Sequence, residues 1–293
     1  MKPAPFKYLV AESLEQVLAL KAQHADDAVF LAGGQSLIPA MNFRLAQPAL
    51  LLDLNALTPL DYAEASGDGA LRIGALTRHR TLVHDEVIAR HQPLVQEAAS
   101  NVAHPQVRNR GTLCGNLAHA DPASELPAVM LALDARLRAQ SAQGERWIAA
   151  RDFFISVLTT ALQDDEMLVE VELPALPAGT GTCFMEVARR PGDYAMMGVA
   201  AVVTLSEDET CSHARLTYCN AGETPVAAEQ AAHSLAGQRV NEQLARDAGA
   251  LAQGEIDPPG NVHASKDFQR HLVGVLTRRA LLQAFDRART ARG

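Results

Sequence analysis

Long hydrophobic runs are missing from this chain of 293 residues. No apolar stretch approaches the ~18 residues that a membrane-spanning helix needs. The opening segment, MKPAPFKYLVAESLEQ, has neither the apolar core nor the small-residue cleavage site of a secretory signal. A cytoplasmic protein that does not span a membrane is the expectation. Aromatic residues are scarce, at 4%, so base stacking has no obvious platform. Positive charge is in deficit: 26 Lys and Arg stand against 34 Asp and Glu, for a net charge of −8. Such a surface repels both a phosphate backbone and an anionic bilayer, and no nucleic-acid partner is expected. The only cysteines are Cys114, Cys183, Cys211 and Cys219. None has C-x-x-C spacing, which excludes a zinc or iron–sulfur nest and leaves buried, reduced thiols as the expectation. No metal site is predicted, because His119 and Asp121 are two ligands without a third. With Ser124 the same pair lacks the strand–elbow–helix setting of a hydrolase nucleophile. Neither G-x-G-x-x-G nor a Walker loop occurs, and there is no internal repeat or low-complexity segment.

What is present is an ordinary globular composition, 48% hydrophobic and 20% charged, at a length that suits one large domain or two modest ones. Ser13-Leu14-Glu15-Gln16 is a capping box ahead of Leu14, Val17 and Leu18 at helical spacing. A strand is predicted over Ala28 to Ala32, a helix around Ala40 to Ala46 with Pro39 in its first turn, and a buried strand from Leu50 to Leu54. That alternation is the α/β pattern. A strand follows over Leu71 to Ala75, then a helix with Leu94, Val95, Ala98, Ala99 and Val102 on one face, stopped by His104-Pro105. Met167, Val169, Val171 and Leu173 alternate with Glu170 and Glu172 as a half-buried strand. The stretch LPALPAGTGT, residues 173 to 182, marks a domain boundary. Beyond it, Gly198 to Leu205 and Ala214 to Asn220 read as strands around the turn SEDET. The last helix sets Leu272, Val275, Leu276, Leu281 and Phe285 against Arg278, Arg279 and Arg287.

Two stretches carry chemistry. In FLAGGQSLIP an apolar strand breaks at Gly33-Gly34 and runs at once into a helix. Residues without Cβ let an anion approach, and a helix N-terminus offers outward N–H groups and a favourable dipole. A tight turn explains the same residues. The second stretch, GTLCGNLAHADPASELP, gathers Thr112, Gly115, Asn116, Asp121 and Ser124. Backbone N–H groups there suit a pyrophosphate, and a carboxylate suits a ribose; a Gly/Asn/Asp-rich surface loop is the plainer alternative. Two such loops, each placed at a strand–helix junction, fit a dinucleotide gripped from both sides. Arg189-Arg190 suit a phosphate, a solvated face or a partner subunit.

These residues carry a resemblance. AGGQSLIPAMNFRLAQP, RNRGTLCGNLAHADPASELPA, ARRPGDYAMMGVAA and HLVGVLTRRAL are similar, in that order, to four segments of the FAD-binding medium subunits of molybdenum hydroxylases, of the carbon monoxide, xanthine and nicotine dehydrogenase types. The likeness runs from Pro5 to about Ala284. It implies an α+β fold: a two-subdomain FAD-binding fold of the p-cresol methylhydroxylase type over residues 1–176 (subdomains about 1–56 and 57–176), then a smaller α+β C-terminal domain over 180–290. It implies FAD on this chain, with Ala32, Gly33, Gly34, Gln35 and Ser36, and Thr112, Cys114, Gly115 and Asn116, at the pyrophosphate. Glu125 matches the carboxylate near the ribose, Leu168 a residue lining the FAD, and Tyr194 the residue covering one face of the flavin ring. No catalytic residue is assigned beyond Tyr194 against that ring. The implied partners are a large molybdopterin-binding subunit and a small subunit with [2Fe-2S] clusters, in a dimer of heterotrimers. Electrons would pass from the clusters through FAD to an external acceptor. Two departures stand out. Cys114 replaces the usual glycine, where a Cβ is costly if φ is positive or a phosphate lies close. Met185 replaces a lysine that xanthine dehydrogenases carry near the nicotinamide, which weakens the case for NAD as acceptor. A self-contained FAD oxidoreductase and a non-redox nucleotide-binding module are the alternatives.

Overall fold

The computed structural model describes residues 2–291. The first unit runs β1 (Lys7–Val10), α1 (Leu14–His24), β2 (Ala28–Leu31), α2 (Leu37–Asn42) and β3 (Leu50–Asp53). Its three strands are parallel, in the order β1-β3-β2. Every residue of β3 is buried, as a central parallel strand demands. The first strand was not predicted. Its residues, KYLV, are mostly exposed on an edge, so it shows no apolar alternation. At α1, Ser13 Oγ accepts from the Gln16 N–H at 3.1 Å, and the Gln16 side chain accepts from the Glu12 N–H at 2.8 Å. The second helix starts three residues earlier than expected, with Pro39 inside its first turn, and stops where Arg44 turns to φ +58.

The second unit adds β4 (Ala63–Ala65), β5 (Leu71–Gly74), α3 (His79–His84), α4 (Glu86–His91), α5 (Pro93–Asn101), α6 (Pro105–Arg108), α7 (Leu113–His119) and α8 (Glu125–Ala132). Then come β6 (Arg136–Ser141), β7 (Gly144–Ala149), α9 (Ala150–Phe153), β8 (Phe154–Ser156), β9 (Thr159–Thr160) and β10 (Met167–Leu173). An antiparallel sheet takes the order β4-β5-β10-β6-β7. Its central strand, β10, is buried on both faces, which corrects the half-buried reading. The Glu170 carboxylate, expected in solvent, is buried; it accepts from the Tyr62 hydroxyl and pairs with Arg138 at 3.5 Å. Packing on α7 covers part of the strand, and the buried charge is kept by a cation and a phenol.

The third unit is β11 (Thr180–Ala188), β12 (Ala195–Leu205), β13 (Cys211–Cys219), β14 (Val226–Ala227), α10 (Glu229–His233), α11 (Glu242–Glu255) and α12 (Lys266–Thr290). Its antiparallel sheet, β11-β12-β13-β14, packs one face on α12 and α10, and α11 lies against those two helices. Along α12, Leu272, Leu276, Leu281 and Phe285 are buried while Val275 is only half-buried. The other sheet face meets α8: Phe184, Ala200, Val202 and Cys219 join the core of the second unit. Thr217 Oγ1 donates to Ala128 O at 2.7 Å, and the Asn220 N–H donates to Pro122 O at 2.7 Å. Arg287 does not sit on a free polar face. It forks onto both Glu97 carboxylate oxygens at 2.8 and 2.9 Å and donates to Thr182 O at 2.6 Å. That is the paired geometry a guanidinium favours, and it ties α12 to α5.

Candidate functional site

The three units enclose a cavity of about 590 Å³. One wall is the run from β2 to α2. Ala32, Gly33, Gly34 and Ser36 are half-buried and Gln35 is exposed, and all five line the cavity. Among the described residues, the N–H groups of Gly33, Gly34, Gln35 and Ser36 find no acceptor within the protein. Unpaired backbone donors at a helix start are what an anionic oxygen needs. Gly34 sits at φ +70, a left-handed conformation that favours glycine. Gly33 is needed for a different reason. A Cβ there would overlap the carbonyl oxygen of Arg110 and stand 2.8 Å from Gly111 Cα. The two small-residue loops therefore touch at Gly33.

The opposite wall is the segment from Gly111 to Glu125. It leaves α6 and enters α7, so it is a helix–helix junction and not the expected strand–helix one. Its strand character is a single bridge between Arg78 and Thr112. Thr112 caps α7: its Oγ1 accepts from the Gly115 N–H at 3.2 Å. A Cβ on Gly115 would come 2.6 Å from that oxygen, so the cap and the glycine go together. Asn116 Oδ1 accepts from Ser124 Oγ at 2.9 Å, joining the two ends of the segment. The N-terminal residues of α2 and α7 both line the cavity, which places two positive helix ends on it.

Cys114 is buried within α7, and its φ is not positive. Its Cβ therefore costs no backbone strain, contrary to the concern raised by the departure from glycine. Burial holds the thiol well above its usual range, so it stays protonated and unreactive. All four cysteines are buried and unpaired, and no group of three metal-ligating side chains occurs among the described residues. Leu168 is buried on β10 and lines the cavity beside Met167. Glu125, first residue of α8, is 5% exposed. Loss of water, then the charge of Glu186 and Asp121, pushes its carboxyl up to about 8.

Tyr194 reaches the cavity from the β11–β12 connection, together with Gly192 and Asp193. The residue is 65% exposed. Its hydroxyl end lies by Asp121 and Glu125; loss of water there, and the Asp121 carboxylate that it bonds, push the phenol up to about 12. Arg189 and Arg190 are exposed and do not line the cavity. Met185 also lies elsewhere, in a surface groove beside α12 with Leu282 and Arg287.

His79 went unnoticed in the sequence, where LTRHR offers no pattern. It is 4% exposed on α3, lines the cavity, and holds Thr112 O at 3.0 Å through Nε2. Its Nδ1 has no partner. Burial lowers its pKa to about 4, so the ring stays neutral with the proton on Nε2. It pins the loop that caps α7.

The chain is similar to known proteins over nearly its whole length. A family model described as "FAD binding domain in molybdopterin dehydrogenase" matches residues 4–176, and one described as "CO dehydrogenase flavoprotein C-terminal domain" matches residues 182–284. The chain is 44% identical to the alpha subunit of the 6-hydroxypseudooxynicotine dehydrogenase complex of Paenarthrobacter nicotinovorans, covering 99% of this chain and 97% of that one. It is 39% identical to caffeine dehydrogenase subunit beta of Pseudomonas sp. (strain CBB1), covering 98% and 97%. A solved structure of carbon monoxide dehydrogenase from Hydrogenophaga pseudoflava, lacking the Mo-pyranopterin moiety, superposes with a TM-score of 0.94 at 34% identity, covering 98% and 99%.

Proposed function

Since the chain belongs to the family of FAD-binding subunits of molybdenum hydroxylases, we propose that it is the member of a heterotrimeric dehydrogenase that passes electrons from partner-chain clusters to an outside acceptor. Its relatives are subunits of multi-subunit oxidoreductases. In this reading a large subunit binds the molybdopterin cofactor and oxidises the substrate, and a small subunit carries [2Fe-2S] clusters. Two heterotrimers pair, and the complex is cytoplasmic. FAD supplies the exchange between two-electron and one-electron chemistry when bound.

The observation that supports this most is the row of unpaired N–H groups from Gly33 to Ser36, facing the capped start of α7 across one cavity. That cradle fits a pyrophosphate. Ala32 to Ser36 and Thr112, Cys114, Gly115 and Asn116 hold it from two sides, Glu125 reaches a ribose hydroxyl, and Leu168 gives an apolar contact. Tyr194 lies against the flavin ring, since an exposed aromatic residue lining a cavity suits offset stacking.

Denaturing the purified chain should release one FAD per chain, identified by mass. Release of FMN, or a colourless protein after incubation with excess FAD, would overturn the reading. Bleaching of the isolated chain by a small substrate would instead make it a self-contained oxidoreductase. Tyr194→Ala should retain FAD, raise the emission of the bound flavin severalfold and change the reoxidation rate of the reduced form. Unchanged emission and reoxidation in matched holo-proteins would place Tyr194 away from the ring.

A further inference from the structure

We propose that Glu125 and Glu186 form a proton-holding carboxyl pair across the domain junction, and that FAD occupies the cleft with this pair protonated. The inference rests on FAD as the occupant.

Glu125 lines the cleft at the start of α8 and is only 5% exposed. Among the described residues, its carboxylate has only its own backbone N–H as a hydrogen-bonding neighbour. Glu186 comes from β11, in the other domain, and its Oε2 is buried with no hydrogen-bond partner among the described residues. Gly198 lies opposite it in register and keeps the site tight: a Cβ there would stand 3.3 Å from Glu186 Cβ and 2.6 Å from Cys219 Sγ. Glu186 and Cys219 thus flank Gly198, and Cys219 lies in the core packed against α8, the helix that Glu125 begins. Asp121 faces Glu125 from the α7–α8 connection, and Tyr194 from the β11–β12 connection. Among the described residues no cation acts on either carboxyl.

Glu125 is buried and Glu186 half-buried with a buried Oε2, and without a counter-charge two such carboxyls do not both stay ionised at neutral pH. Burial pushes Glu186 up to about 7, and Glu125 stands at about 8. The incoming pyrophosphate is an anion, and it displaces more water. Both changes favour the neutral acids further. A neutral carboxylic acid also offers a ribose hydroxyl one donor and an acceptor. The sign follows by linkage: groups whose pKa rises on binding take up protons. FAD affinity is full below about 7 and falls as pH climbs through and above 8.

The test uses the full chain freed of flavin. The Kd for added FAD is measured by flavin fluorescence at about pH 6.5 and about pH 9, and by calorimetry in two buffers of different ionisation enthalpy. Affinity should weaken about tenfold or more at the higher pH, with net proton uptake. Glu186→Gln, which keeps shape, should retain the low-pH affinity and shrink the fall. Glu125→Gln combined with Glu186→Gln should abolish it. Affinity independent of pH, affinity that tightens toward pH 9, or a double variant as pH-sensitive as the native chain would overturn the pair's role. Failure to bind FAD at every pH would overturn the cofactor reading itself.

Discussion

Gly33→Val is expected to abolish flavin binding and to lower the stability of the chain by about 2–4 kcal/mol. The sequence alone suggests only the first effect, through a branched side chain in the way of a phosphate. The structure adds the second, because the new Cβ would overlap the Arg110 carbonyl and crowd Gly111. Backbone cannot swing aside as a flexible side chain does, so the two loops must separate. Parting them also pulls on Thr112, whose carbonyl is held by His79 and whose hydroxyl caps α7. Flavin per chain, measured spectrophotometrically, should fall below one tenth of native, and thermal unfolding of the flavin-free variant should begin several degrees lower. A variant with native flavin content would reduce Gly33 to an ordinary turn residue.

The contrast between Gly33 and His79 shows what can be read from sequence. Glycines, a capping threonine and an Asn/Asp-rich run advertise backbone chemistry locally, so the AGGQS and GTLCGN walls were legible as they stood. The buried strand from Leu50 was equally clear, because a doubly covered strand is continuously apolar. What was hidden depends on residues distant in the chain. Glu170 looks like the polar half of an alternating strand until Tyr62 and Arg138 fold against it. His79 gains its role only because Thr112 O folds beside it. The strand at Lys7–Val10 is defined by pairing with β3, not by any burial of its own.

A second large effect is expected at Gly181, far from the cavity. This residue of β11 lies directly under α12: an added Cβ would overlap Ala284 O and Ala288 N and stand 2.9 Å from Ala288 Cα. Helix and strand touch backbone to backbone there, with Ala284 and Ala288 both fully buried. Gly181→Val should force α12 off the sheet and loosen the adjoining fork of Arg287 on Glu97. A loss of about 3–5 kcal/mol is expected, in the range of severe overpacking and of breaking a partly buried ion pair. The chain should express poorly, and its denaturation midpoint should fall well below native in urea. Gly181→Ala should be milder but still clearly destabilising. A native midpoint for either variant would mean that α12 can shift outward at little cost.

The walls of the cavity are scattered along the chain, and that has a consequence for biosynthesis. Gly33 leaves the ribosome early, whereas Tyr194 follows more than half the chain later. At roughly 5–20 residues per second the interval is on the order of ten seconds or longer. Throughout it the nascent AGGQS loop has no opposing wall, then no lid. Cofactor capture is thus confined to the end of synthesis, after the third unit has docked through Thr217, Asn220 and Arg287. Flavin colour in a purified preparation therefore serves as a maturation marker: it reports chains whose two halves have closed on each other.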